Sequence, residues 1–225
     1  MRARVGMGAG LVLAAMGVMA VTGCGSEQNP QAATSAASAA SAAGSSSPAA
    51  SDAALEDRAT AMLLPEGSLG DGWRLSDPPQ PGFRMTICGV DIEPEQPRGV
   101  ALRRFAQSGL GPFVVQYVEV HRDGLADEVV SALREALPGC TRFSSTGEAA
   151  DSPEESFVVD EVRTEDVPED TVVVRMTSQG EHQVTQDIAF VARGEFLVGL
   201  VSFVGGRPPD PGVIETALAH VPAAS

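Results

Sequence analysis

The second half of the chain carries four runs of β-branched and aromatic residues: SFVVDEVR (156–163), TVVVRMTS (171–178), VTQDIAFVA (184–192) and FLVGLVSFV (196–204). Such runs, set between glycine, proline and charged residues, read as strands. The links between them are too short for the helical crossover that a parallel pair of consecutive strands needs, so they imply an antiparallel sheet. In the third run Val184, Gln186, Ile188, Phe190 and Ala192 alternate with Thr185, Asp187, Ala189, Val191 and Arg193, one face mostly apolar and the other mixed. That pattern predicts a strand buried on one face. Arg193, Gly194 and Glu195 supply a short turn into the fourth run, making a hairpin.

Further strands are expected over 100–106 and 113–121. A helix opening at a cap on Asp123 and running to Leu137 aligns Leu125, Val129, Val130, Leu133, Ala136 and Leu137 on one face, and Pro138 and Gly139 end it. An earlier helix, capped at Asp52 and stopped by Pro65, places Leu55, Ala59, Met62 and Leu63 together. A last one starts at Asp210 with Pro211 in its first turn, burying Val213, Ile214, Ala217, Leu218 and Val221. Trp73, the single tryptophan, is read as a residue that closes the core. Helices, hairpins and short links of this kind describe an α+β domain over 54–225, an antiparallel sheet with helices packed on it.

The amino terminus has another character. Arg2 and Arg4 precede an uncharged apolar stretch, Val5 to Val21, which is diluted by glycines and ends in Val21, Thr22, Gly23 and Cys24. A basic start, an apolar core and small residues at its end form a signal-peptide pattern. Val21, Thr22 and Gly23 ahead of Cys24 resemble the lipobox of bacterial lipoproteins. That resemblance implies lipidation of Cys24, cleavage after residue 23, and a membrane-lipid partner at the extracytoplasmic face. Acyl chains contribute roughly 0.8 kcal/mol per buried methylene, so two or three of them hold a chain at a membrane. Between Ala32 and Ala54 the sequence is 12 Ala and 7 Ser in 23 positions, with no large apolar residue to bury. Residues 24–53 are therefore expected to be a lipidated cysteine on a flexible tether, reaching about 30 Å as a random coil.

Three cysteines leave an odd thiol, and lipidation of Cys24 returns the count to two. Cys88 and Cys140 are expected to oxidise together outside the membrane. Closing the span between them removes chain entropy worth roughly 4 kcal/mol. Neither cysteine has a CxxC partner or an adjacent histidine, so neither reads as catalytic.

All 15 basic residues are Arg, against 30 Asp plus Glu; without residues 1–23 the balance is 13 against 30, a formal charge of −17. So acidic a chain is a poor partner for nucleic acid. The absence of Lys and the abundance of Ala, Gly, Val, Pro and Arg are those of a GC-rich genome, an actinobacterium by expectation.

Catalytic patterns are missing. His121, His182 and His220 fall at a strand end, in a loop and in the last helix without metal-ligand spacing, and no metal or other cofactor is expected. Acids crowd the stretch from Glu148 to Asp170, but Pro153 and Pro168 interrupt it and no calcium-loop spacing appears; a solvated face is the expected role. No nucleophile elbow, Walker or dinucleotide motif is present. The chain reads as a non-enzyme, and no ligand-binding residue stands out.

Several local patterns then come together: MLLPEGSLGDGW, TICG, a helix ending ALPGC, the hairpin DIAFVARGEFLVGLVSF and a terminal helix. From Leu55 to Val221 this resembles the extracellular sensor-type domain of actinobacterial receptor Ser/Thr kinases of the mycobacterial H type, a domain also found alone in lipoproteins. The resemblance implies a curved antiparallel sheet with helices, a cleft, and an unidentified extracellular ligand, small molecule or envelope component. It also departs from that pattern, which carries two disulfides where Cys88 and Cys140 allow one. The PsbP-like type of other mycobacterial lipoproteins is the alternative fold. A structural or protein-interaction lipoprotein, docking a protein partner through the acidic stretch or an exposed sheet face, is the alternative function.

Overall fold

In the computed structural model, the described residues are 51–77, 85–146, 154–165, 167–181 and 183–223. All of them belong to the compact unit Ser47–Ser225. The signal peptide, Cys24, the lipobox residues and most of the tether lie outside the described residues, as do His182 and the acidic positions Glu148, Asp151 and Asp166.

The elements run α1 (Asp52–Ala61), β1 (Arg74–Ser76), β2 (Thr86–Ile87), β3 (Val90–Asp91), β4 (Gly99–Ala106), β5 (Phe113–Val120), α2 (Leu125–Ala136), β6 (Arg142–Thr146), β7 (Glu154–Arg163), β8 (Thr171–Ser178), β9 (Thr185–Arg193), β10 (Phe196–Phe203) and α3 (Pro211–Ala219). Eight strands form one sheet in the order β1-β4-β5-β10-β9-β8-β7-β6, and β2 pairs with β3 in a separate hairpin. Every pairing is antiparallel. The fold is α+β, as the hairpin spacing implies.

The sheet is covered on both faces. On one, α1 packs on β4 and β5 while α3 packs on β9 and β10, around Phe105, Val118, Val173, Val191, Val198 and Ile214. On the other, α2 packs on β8 and β9, around Val130, Leu133, Val174, Ile188, Phe190 and Val201. This corrects the expectation for the third run: β9 is buried on both faces over most of its length, because helices cover both. The charge on its mixed face is accommodated by pairing. Asp187, with a side chain 1% exposed, accepts from Arg175 Nε and Nη2 at 2.6 and 2.8 Å, and Arg175 also donates to the Pro209 carbonyl. Asp187 holds the Arg175 guanidinium protonated, above its ordinary range.

Two helix starts also differ from expectation. Ser51, not Asp52, caps α1, its Oγ accepting from the Ala54 amide. Gly124, not Asp123, precedes α2, at φ +83° with no side-chain cap. Beside it the exposed Arg122 donates to Glu128 in the first turn and to Glu95. Those contacts raise the pKa of Arg122, and Arg122 in turn lowers that of Glu128. The last helix starts as expected, Asp210 accepting from Gly212 N ahead of Pro211. Trp73 is half-buried against the core on the α1 and α3 face.

Cys88 and Cys140 are bonded. The bridge ties the β2–β3 hairpin to the chain just past the 3-10 turn Leu137–Gly139 that follows α2, so the hairpin is stapled beside β6.

Candidate functional site

Two open clefts among the described residues differ in chemistry. The first, about 610 Å³, lies between the exit of α2 and the outer part of β7. Leu137, Pro138, Val159 and Val162 supply its apolar wall, and Asp160, Glu161, Arg163 and Glu165 its polar one. It exists because β6 pairs only with Glu154–Val158. Past a bulge between Val159 and Glu161, the rest of β7 has no strand on its outer side among the described residues. Its carboxylates are solvated groups: Glu161 is 52% exposed and approaches Arg163, and Asp160 accepts from Thr177 Oγ1. A glycosidase acid needs the reverse, a carboxyl kept neutral by apolar surroundings.

The second cleft, about 410 Å³, is built by β1, the end of β4 and the 107–112 loop into β5. Both volumes lie within the roughly 300–1,000 Å³ usual for small-molecule sites, but the second collects features that a folded surface ordinarily avoids. Leu75 and Leu110, 43% and 86% exposed, are the exposed large hydrophobic residues among those described. Leu75 lines this cleft, and Leu110 projects from the loop whose Ser108 and Gly109 line it.

The floor is aromatic and cationic. Phe113 packs on Phe203 with ring centroids 5.1 Å apart, and the Arg104 guanidinium carbon sits 4.2 Å from the centre of the Phe113 ring, within cation–π range. Arg104 and Ser76 are direct cross-strand partners. Among the described residues, Arg104 Nε and Ser76 Oγ are both buried with no hydrogen-bond partner, and Arg104 Nη1 reaches the Asp77 carbonyl, at 3.5 Å. Arg74, also lining the cleft, is exposed and pairs with no acid among the described residues. The loop itself is ordered by Ser108, whose Oγ donates to the Gly111 carbonyl and accepts from the Leu110 amide.

The residues singled out in the sequence do not converge on either floor. Cys140 borders the first cleft, where its sulfur is committed to the disulfide. His121 is buried against Glu119, Nε2 to Oε2 2.9 Å, and His220 caps α3 through the Thr216 carbonyl. Among the described residues no group of three His, Cys, Asp or Glu is arranged to hold a metal, and no helix is long and apolar enough to cross a membrane. Sequence reading missed the cleft of β1 and the 107–112 loop. Its signals were the Arg103–Arg104 doublet in an acidic chain and Leu110 flanked by glycines.

Among solved structures the chain is similar to the crystal structure of the extracellular domain of PknH from Mycobacterium tuberculosis, with a TM-score of 0.50 and 14% identity over 74% of this chain and 94% of that one. The fold is that of the PknH extracellular domain. No protein-family model matches the chain, and no curated protein matches its sequence. The likeness to PknH is thus carried by the arrangement of strands and helices, at an identity too low to carry residue roles across.

Proposed function

We propose that this chain is a lipid-anchored extracytoplasmic lipoprotein whose folded domain binds a ligand without catalysing a reaction. The observation that carries the reading is the cleft beside β1, lined by the exposed Leu75 together with Arg74, Ser76 and Arg104, where Arg104 Nε and Ser76 Oγ lie buried with no hydrogen-bond partner among the described residues. A protein surface that leaves both uncovered forgoes hydrophobic burial and hydrogen bonds together, and a ligand restores both. The fold shared with the extracellular domain of PknH supports a sensor-like role outside the membrane. Cleavage after Gly23, lipidation of Cys24 and the Ala/Ser tether give the domain an anchor and reach.

Native mass spectrometry of the chain recovered from membranes of its own host tests the ligand. A stoichiometric adduct beyond the lipid mass at Cys24 is expected; a bare chain, under conditions that keep weak complexes intact, contradicts it. For the anchor, Cys24→Ala is expected to abolish fatty-acid labelling and release the protein, and unchanged labelling contradicts the lipobox.

A second reading, a protein-interaction lipoprotein, is favoured by the outer part of β7, unpaired among the described residues, over an acidic groove, an edge of the kind that accepts an added strand. A salt-sensitive pull-down that loses its protein partner on Glu161→Lys supports that reading.

A further inference from the structure

We infer that the cleft of β1 and the 107–112 loop is an anion site: its ligand is a small amphiphile bearing one oxyanion, a carboxylate or a phosphate monoester, on an apolar body. The inference rests on the ligand-binding reading above and names the ligand's chemical class.

The chain is strongly acidic, with 30 Asp plus Glu against 15 Arg, and most of its described arginines are already engaged. Arg58, Arg122, Arg163, Arg175 and Arg193 are ion-paired. Arg134 donates to the carbonyls of Thr164, Pro168 and Thr171, and Arg103 to that of Leu64. Of the five that remain, Arg74, Arg98, Arg104, Arg142 and Arg207, two stand together, Arg74 and Arg104. They line one cleft together and pair with no carboxylate among the described residues. Asp77, the acid in the same lining, meets Arg104 through its carbonyl and not its carboxylate. The charge of the two arginines is left for something that is not part of the fold.

The geometry selects an oxyanion. Arg104 is held over the Phe113 ring, so its guanidinium edge is preorganised, and a planar fork of N–H donors matches two oxygens of one anion. Directly across the strand pair stands Ser76, whose buried hydroxyl lacks a partner among the described residues and is a second donor in the same lining. Phe113, Ala106 and Leu75 form the apolar part of the lining, and Leu110, 86% exposed, follows the lining residues Ser108 and Gly109 in the chain. An inorganic anion leaves these uncovered; an apolar chain or ring attached to the anion covers them.

The test uses residues 25–225, which contain the whole compact unit with its own core on both sheet faces. Calorimetry at low salt, in a buffer free of carboxylate and phosphate, compares decanoate, decyl phosphate and decanol. At least one of the two anions is expected to bind one to one, at least about tenfold tighter than decanol, and which of them binds tighter identifies the headgroup. Arg104→Gln is expected to remove that margin, and Arg104→Lys, which keeps the charge but not the fork, to remove part of it. Arg74→Gln, at an exposed position that leaves the fold intact, is expected to weaken the anion while leaving decanol unchanged. Equal binding of decanol and the anions overturns the anion assignment while leaving the ligand-binding reading standing. No binding by any probe, or a margin that survives both Arg104→Gln and Arg74→Gln, overturns the site. Failure of the ligand-binding reading shows separately, as a bare chain in native mass spectrometry.

Discussion

Cys88 takes φ +53° and is followed by Gly89 at φ +84°, while Ile87 pairs directly with Val90 across them. Two left-handed residues between paired strands make the turn whose twist suits a tight hairpin, and Asn is the usual first residue there. Cysteine occupies it at a cost of roughly 1 kcal/mol, which the bridge to Cys140 offsets. The double variant Cys88→Asn with Cys140→Ala is therefore expected to destabilise the domain less than Cys88→Ala with Cys140→Ala, by about 0.5–1 kcal/mol in denaturant unfolding. Equal midpoints for the two double variants contradict the turn assignment. Tyr117 offers a second check: burial raises the pKa of its phenol above an ordinary value of about 10. Its contribution to stability is intact below pH about 10 and is lost as pH rises through the higher folded value. A phenolate absorbance titration of the folded chain with a midpoint at or below about 10 contradicts this. The cysteine pair was legible from the count of thiols, and the turn was not, because the strands beside it are two residues long.

The long elements were legible and the short ones were not. The four runs of the second half are β7 to β10, close to their expected bounds, since β-branched residues in sequence leave few other conformations open. β6, reading RFSST, and β1, reading RLS, carry no apolar alternation; their pairing partners make them strands, not their own residues. β1 matters most, because it builds the cleft. Cap positions slipped by one residue at α1 and α2 for a related reason: neighbouring residues such as Ser51 and Asp52 can both cap, and only the path of the chain decides. Packing between elements has its own test at Gly99, where an added Cβ would sit 2.9 Å from the Leu55 carbonyl carbon. Since α1 rests on β4 there, Gly99→Ala is expected to push the helix off the sheet and cost about 1–3 kcal/mol. A lowered denaturant midpoint with an unchanged slope supports it, and an unchanged midpoint contradicts it.

At the scale of the whole molecule, a sheet of eight strands buried on both faces leaves function to its margins, and both clefts border edge strands that are incompletely paired among the described residues. One is acidic and borders the unpaired part of β7; the other is apolar, carries Arg74 and Arg104, and borders β1. Composition alone made the chain look uniformly hostile to anions. The fold reverses this locally by bringing Arg74 beside Arg104, residues far apart in sequence but joined across the β1–β4 pair. Fold class was therefore readable from the pattern of strands, whereas the cleft required knowing which distant segments pair. The most direct measurement is a crystal structure of residues 25–225 purified from the protein's own host. Non-protein density seated between Arg104, Phe113 and Leu75, with an oxyanion at the Arg104 guanidinium, is the expected result; a cleft holding only water while a bound compound occupies another part of the domain would contradict it.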